Sequence, residues 1–318
     1  MSSSSEDFLS IESTTQLRGA AIILVLLGHT GVLINSGPWG VSIFLILSGF
    51  GLTQSYLRKG LSGYITNKLS RVILPYTLVT LVLIMVDGFV LNIWYGVKTT
   101  ILALMGLSLR SPVDNSMWYI SYLIIWYMAF YVLFKLPLKD GLKIVGLIIT
   151  GMLCYIGIKL LLPSTKVIAN YAFCFPLGAV IGFYYKRITK INVASVKKYL
   201  LVICMASTSI FLGIIYVYGL RLNIIDPLSI ISLALAFMSL VGLLRLYRVK
   251  YLRLLEFIGV ISYELYLFEA VFLWKYTFIF HLPVNKVLQM LIYLTLIVSL
   301  AIGYRYLFSS LTRACNRE

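Results

Sequence analysis

Residues 18–31 read RGAAIILVLLGHTG, an apolar run opened by a cation and closed by an imidazole. Coiled as an α-helix at about 100° per residue, Arg18 and His29 come round to nearly the same face, about 16 Å apart along the axis. Continued to 18–35, the run is long enough to span a bilayer. The reading then predicts Arg18 at the mouth of the span and His29 about halfway across. A titratable group at that depth is expensive and marks a functional site by default.

The composition extends this reading to the whole chain. Of 318 residues, 60% are apolar and 12% charged, and the mean hydropathy is +0.95. These values lie far from those of a soluble domain. Ten spans are expected, at 18–35, 40–57, 72–91, 116–134, 142–160, 167–185, 199–218, 225–244, 257–277 and 286–308. The shorter stretch IWYGVKTTILALMGL at 93–107 reads as an interfacial or re-entrant piece. The chain is thus an all-α integral membrane protein of about ten transmembrane helices. Residues 1–17 form a polar tail, 18–308 one transmembrane domain, and 309–318 a second tail.

Lys and Arg accumulate in cytoplasmic loops, so charge tests the topology separately. Loops on the side of the amino terminus carry Arg58, Lys59, Lys68 and Arg71, then Lys135, Lys139 and Lys143. They continue with Lys186, Arg187, Lys190, Lys197 and Lys198, and finally Arg245, Arg248, Lys250 and Arg253. The other side holds only Lys98, Arg110, Lys159, Lys166, Arg221, Lys275 and Lys286. Both termini are expected in the cytoplasm. The net charge of +16 is therefore mainly an orientation signal. It gathers on no soluble face and calls for no nucleic-acid partner, while anionic membrane lipids and phosphate-bearing ligands suit it.

MSSSSEDFLS at the amino terminus lacks the basic start, apolar stretch and small-residue site of a cleaved signal. Cys154, Cys174, Cys204 and Cys315 stand singly, and no Cys/His spacing suggests a metal. They read as inert core thiols.

Arg18-Gly19 followed by His29 resembles the Arg-x10-His signature of the membrane-bound acyltransferase 3 family. Further matches follow in order: GVSIFLILSGF at 40–50, the Lys68/Arg71/Pro75 pattern of KLSRVILPY, MWYI at 117–120 and ISYELYL at 261–267. The resemblance covers nearly the whole chain. It implies a bacterial plasma-membrane enzyme that moves an acyl group, usually acetyl from acetyl-CoA, to a hydroxyl of a cell-envelope saccharide or its lipid-linked precursor. Acyl-CoA is then a co-substrate, with no tightly bound cofactor. Some members carry an extracytoplasmic esterase-like domain; this chain resembles the compact form without one.

Acyl transfer to an alcohol needs a base for the hydroxyl proton, and histidine titrates near neutrality. His29 either deprotonates the acceptor for direct attack on the thioester or carries the acyl group transiently. Direct attack is preferred, because no second histidine lies at membrane depth. Arg18 is expected to hold a phosphate of coenzyme A, for which its planar fork of donors is suited. Lys68 and Arg71 read either as further phosphate contacts or as loop charges.

Ser48, beside Gly49, either lines the site or marks close helix packing. Trp118, Tyr119 and Tyr122, with Trp126 and Tyr127, read as an interfacial aromatic belt or as a platform for a sugar acceptor. Glu269 stands where many relatives have a histidine after SYxLYL. It either orients and charges His29 or pairs with a nearby Arg or Lys. Glu264, five residues earlier, points about 140° away around the helix, so the two are not a paired-carboxylate site. Asp87 is expected near the outer interface, Glu256 near the cytoplasmic one, and His281 in the last outer loop.

The main rival is a transporter or flippase of a lipid-linked saccharide precursor. That class favours internal repeats and broken helices; no repeat is evident, although Pro176 and Pro227 fall within or near spans. A regulator that kept the scaffold and lost the chemistry is a third reading, which retention of Arg18 and His29 disfavours.

Overall fold

Helix α1 (Ile11–His29) begins where Ser10 accepts a hydrogen bond from the Ser13 amide at 3.2 Å, satisfying one of the free amides of a first turn. It ends at His29 because Thr30 caps it and Gly31 adopts φ +75°, a left-handed conformation that glycine takes without strain. The computed structural model describes residues 9–33, 36–188, 193–218, 227–247, 249 and 252–315.

The chain continues through α2 (Ser36–Lys59), α3 (Tyr64–Lys68), a π-helical turn (Leu69–Ile73), α4 (Leu74–Leu91), α5 (Val97–Leu104) and α6 (Trp118–Lys135). It then forms α7 (Asp140–Leu161), α8 (Lys166–Ala169), α9 (Cys174–Ile188), α10 (Val193–Tyr218) and α11 (Pro227–Leu246). Helices α12 (Leu252–Val260), α13 (Ser262–Trp274) and α14 (Lys286–Cys315) complete it, with short 3-10 turns at Asn115–Met117, Pro163–Thr165 and Thr277–His281. Among the described residues there is no strand, and 9 helices, or up to 10 with one broken pair, are long and apolar enough to cross a membrane. This is an all-α integral membrane protein.

The observed spans follow the expected ones closely, with three differences. The first starts at Ile11 instead of residue 18. The ninth is broken at Ile261, which leaves helical geometry (φ −103°, ψ 10°) after Gly259-Val260; a glycine and two β-branched residues in a row are weak helix formers. The third starts at Tyr64 instead of residue 72 and contains the π turn, four residues of which precede Pro75 by no more than five positions. Proline lacks the amide that would bond four residues back, and the wider turn accommodates that loss. The expected start of the eighth span at 225, and the loop residues Lys190, Arg221, Arg248 and Lys250, lie outside the described residues, as do residues 1–8 and 316–318 of the tails.

The chain divides into two compact units. The first draws on residues up to Leu61 and on Val132–Val260; the second draws on Ser62–Tyr131 and on residues from Ile261 onward. In the first, α1 packs against α2 and α12, α2 against α9 and α11, and α10 against α11. Glycines make these crossings close. A Cβ on Gly19 would overlap the Leu255 carbonyl, one on Gly259 the Thr15 carbonyl, one on Gly49 the Phe175 carbonyl and one on Gly178 the Ile46 carbonyl. Packing of this kind drives association where apolar surface alone gives no advantage over lipid.

In the second unit, α4 packs against α5, and α13 against α14. Hydroxyls tie the elements together: Tyr76 donates to the Ala103 carbonyl at 2.7 Å, Thr77 to Leu104 at 2.9 Å, and Tyr293 on α14 to Glu269 at 2.9 Å. Large apolar side chains remain exposed along α4, α7, α10 and α14, including Val82, Phe89, Leu153, Leu160, Met205, Leu212, Leu291 and Leu307. Such belts are the lipid-facing sides of transmembrane helices.

Candidate functional site

In the first unit the site starts from the α1–α2 junction. Ser36 donates to the Leu24 carbonyl at 2.7 Å and to Leu33 at 2.9 Å, pinning the start of α2 to α1. Gly28 and Gly37 approach so closely that a side chain at Gly28 would overlap the Gly37 amide. The half-buried His29 ring lies along this contact: a Cβ on Gly37 would sit 3.8 Å from both its Cδ2 and Nε2 atoms. Gly37 therefore presents bare backbone to the reactive edge of the imidazole.

This geometry corrects the expected position of His29. It is the last residue of α1 and not a mid-span residue, because the helix begins seven residues earlier than the apolar run and Gly31 stops it. Arg18, correspondingly, lies in the middle of α1 and is exposed, while its neighbour Gly19 is buried at the α12 crossing. On α2, Ser48 is half-buried, and Gly49 is taken up by packing against α9.

The second unit knits three of the sequence motifs together. Tyr263 of ISYELYL donates to the Val72 carbonyl in the π turn of KLSRVILPY at 2.7 Å. Tyr266 donates to the Ser116 carbonyl and meets Tyr119 of MWYI edge to face at 5.4 Å. Lys68 ends α3 with its ammonium 4.4 Å from the centre of the Tyr127 ring, and Arg71 is exposed within the π turn.

The aromatic residues of α6 are not an interfacial belt. Tyr119, Tyr122, Trp126 and Tyr127 are buried, and Tyr122 packs edge to face on Trp126 at 6.3 Å. Their rings lie on the inward side of α6, whose other side exposes Ile125, Met128 and Val132; of the five aromatic residues only Trp118 is half-buried. Glu269 is fully buried on α13. Glu264 instead pairs with Arg305 at 3.1 Å, and His281 is exposed, with Nδ1 2.8 Å from the Thr277 carbonyl.

Sequence reasoning placed Asp87 near an interface but missed its partners. The buried Asp87 carboxylate receives Lys275, Tyr95 at 2.8 Å and Tyr276 at 2.8 Å. Burial, and then the hydrogen bond to Asp87, push both phenols well above their ordinary value, so they remain donors at physiological pH. Lys275 also donates to the Val113 carbonyl at 2.8 Å. A cavity of about 440 Å³ opens beside this cluster, between residues 110–115 and the end of α13. The polar run SPVDNS between two apolar stretches was its one sequence signal. Among the described residues no three His, Cys, Asp or Glu side chains gather as a metal site.

Residues 11–306 match the acyltransferase 3 family, described as an acyltransferase domain. The chain belongs to the acyltransferase 3 family. No curated protein and no solved structure matches it. The acyltransferase 3 match opens where α1 opens and closes within α14, so it takes in both units and every motif residue named above. The protein is accordingly a multi-pass membrane acyltransferase.

Proposed function

We propose that this acyltransferase moves an acetyl or other short acyl group from acyl-CoA to a hydroxyl of a cell-envelope saccharide or its lipid-linked precursor, in a bacterial plasma membrane with both termini cytoplasmic. The observation that carries the reading is the family match over residues 11–306 together with a half-buried imidazole beside the bare backbone of Gly37. On its Gly37 side the ring faces main chain with no side chain of that residue between them, which supports a substrate-facing role.

In the proposed reaction His29 takes the proton of the acceptor hydroxyl as its oxygen attacks the thioester carbonyl. The carbon–sulfur bond then breaks, the ester remains on the acceptor, and the proton passes to the departing thiolate of coenzyme A. Arg18 is the proposed phosphate contact for the donor; its exposure on α1 supports that role. Lys68 and Arg71 are proposed secondary contacts, with Lys68 steadied over Tyr127. Ser48, Trp118, Tyr119 and Tyr122 are proposed on the acceptor side, and the charge of Glu269 is proposed to tune proton transfer.

The test is the acyl-ester content of envelope saccharides from cells with and without the protein. A protein-dependent rise in ester is expected. Saccharide relocation without any new ester would favour the transporter reading instead.

A further inference from the structure

In the second unit, where α4 and α13 finish and α6 begins, residues 110–115 and the last turns of α13 enclose an open cavity of about 440 Å³. This is within the range of small-ligand sites. The indole of Trp274 lines it and is 52% exposed. Asp114, 7% exposed, is oriented by a 2.7 Å hydrogen bond from the Ser116 amide to Oδ1. The Ser111 hydroxyl, on a residue 3% exposed, has no hydrogen-bond partner. Val113 and Val271 give the cavity an apolar floor.

The cations at this cavity do not make it an anion site. The three donors of Lys275 are engaged by Asp87, by Tyr95 at 2.9 Å and by the Val113 carbonyl at 2.8 Å. Arg110 shares the lining with the carboxylate-bearing Asp114. The bond from Lys275 to Val113 also joins the loop to α13, so the two walls are fixed before any ligand arrives.

An aromatic face, an oriented carboxylate and an unsatisfied hydroxyl suit a neutral polyhydroxylated ring. Its C–H face meets the negative face of the indole, and its hydroxyls donate to the carboxylate and bond the serine. We infer that this cavity seats a neutral sugar unit of the acceptor, with Trp274 as platform and Asp114 as hydroxyl acceptor. The inference rests on the saccharide-acceptor reading above.

The experiment is saturation-transfer NMR on the full-length protein in lipid nanodiscs without acyl donor. The neutral probes are methyl glucoside and methyl N-acetylglucosaminide; the anionic probes are methyl glucuronide and inorganic phosphate. Transfer to the neutral rings is expected, falling about fivefold in Trp274→Ala and Asp114→Asn and retained in Trp274→Phe. Three results would overturn the inference: no transfer to neutral rings in the wild type, unchanged transfer in variants that melt with the wild type, or preferred binding of the anions. Sugar binding without any acyl transfer would defeat the proposed function and leave the sugar site standing. Acyl transfer with an unchanged acceptor KM in both variants would do the reverse.

Discussion

Lys275, at the end of α13, forms an ion pair with Asp87, a residue wholly buried near the end of α4. Two tyrosines complete the carboxylate's coordination, so the charge is both paired and hydrogen-bonded. Lys275→Met leaves that carboxylate without its cation and is expected to cost about 3–5 kcal/mol. The double variant Asp87→Asn/Lys275→Met should recover much of the loss. Denaturant unfolding of the two variants beside the wild type checks both statements, and equal stability of Lys275→Met and wild type would contradict the pairing.

Gly49 and Gly51 lie on the same helix in opposite circumstances. A side chain at Gly49 would overlap the Phe175 carbonyl, whereas a Cβ at Gly51 meets nothing within 4 Å. Gly49→Ala is expected to destabilise the α2–α9 crossing by about 1–3 kcal/mol. Gly51→Ala should be neutral or slightly stabilising, because alanine is the better helix former. Thermal melts in the same detergent decide, and equal effects at both positions would refute the packing assignment.

The spans were legible because apolar length and charge placement are one-dimensional signals. The site was legible in its residue types and much less in its geometry. His29 was expected halfway across the membrane because the apolar run opens at Arg18. Ser10 starts the helix earlier, and the polar first turns of α1 belong to it through burial of Ser13, Gln16 and Leu17. The aromatic residues of α6 look alike in sequence whether they sit at an interface or inside a bundle, and only the packing of Tyr119 on Tyr266 distinguishes the two. The Asp87 cluster joins positions far apart in the chain, which no local pattern reveals.

Arg18→Ala removes the charge proposed to bind donor phosphate. A charge-assisted hydrogen bond contributes about 1.5–3 kcal/mol, so the KM for acyl-CoA should rise about 10- to 100-fold with the acceptor KM unchanged. Steady-state kinetics with each substrate varied in turn makes the measurement. An unaltered donor KM would remove Arg18 from the donor site.

Glu269→Gln removes a buried carboxyl group, proposed to act in its charged form, while keeping the shape of the side chain. A negative charge favours the protonated form of a base, so its loss should move the acid limb of the pH–rate profile to lower pH. A superimposable profile would leave Glu269 with a structural role alone.

The most direct test of the account is transfer of radiolabelled acetyl from acetyl-CoA into extractable glycan or lipid, by membranes carrying the wild type or a folded His29→Ala variant. The account predicts label with the wild type and a loss of about 10²- to 10⁴-fold with the variant. Equal labelling by the two would contradict catalysis by His29, and no labelling by the wild type with acetyl-CoA or other short acyl-CoA donors would contradict acyl transfer itself.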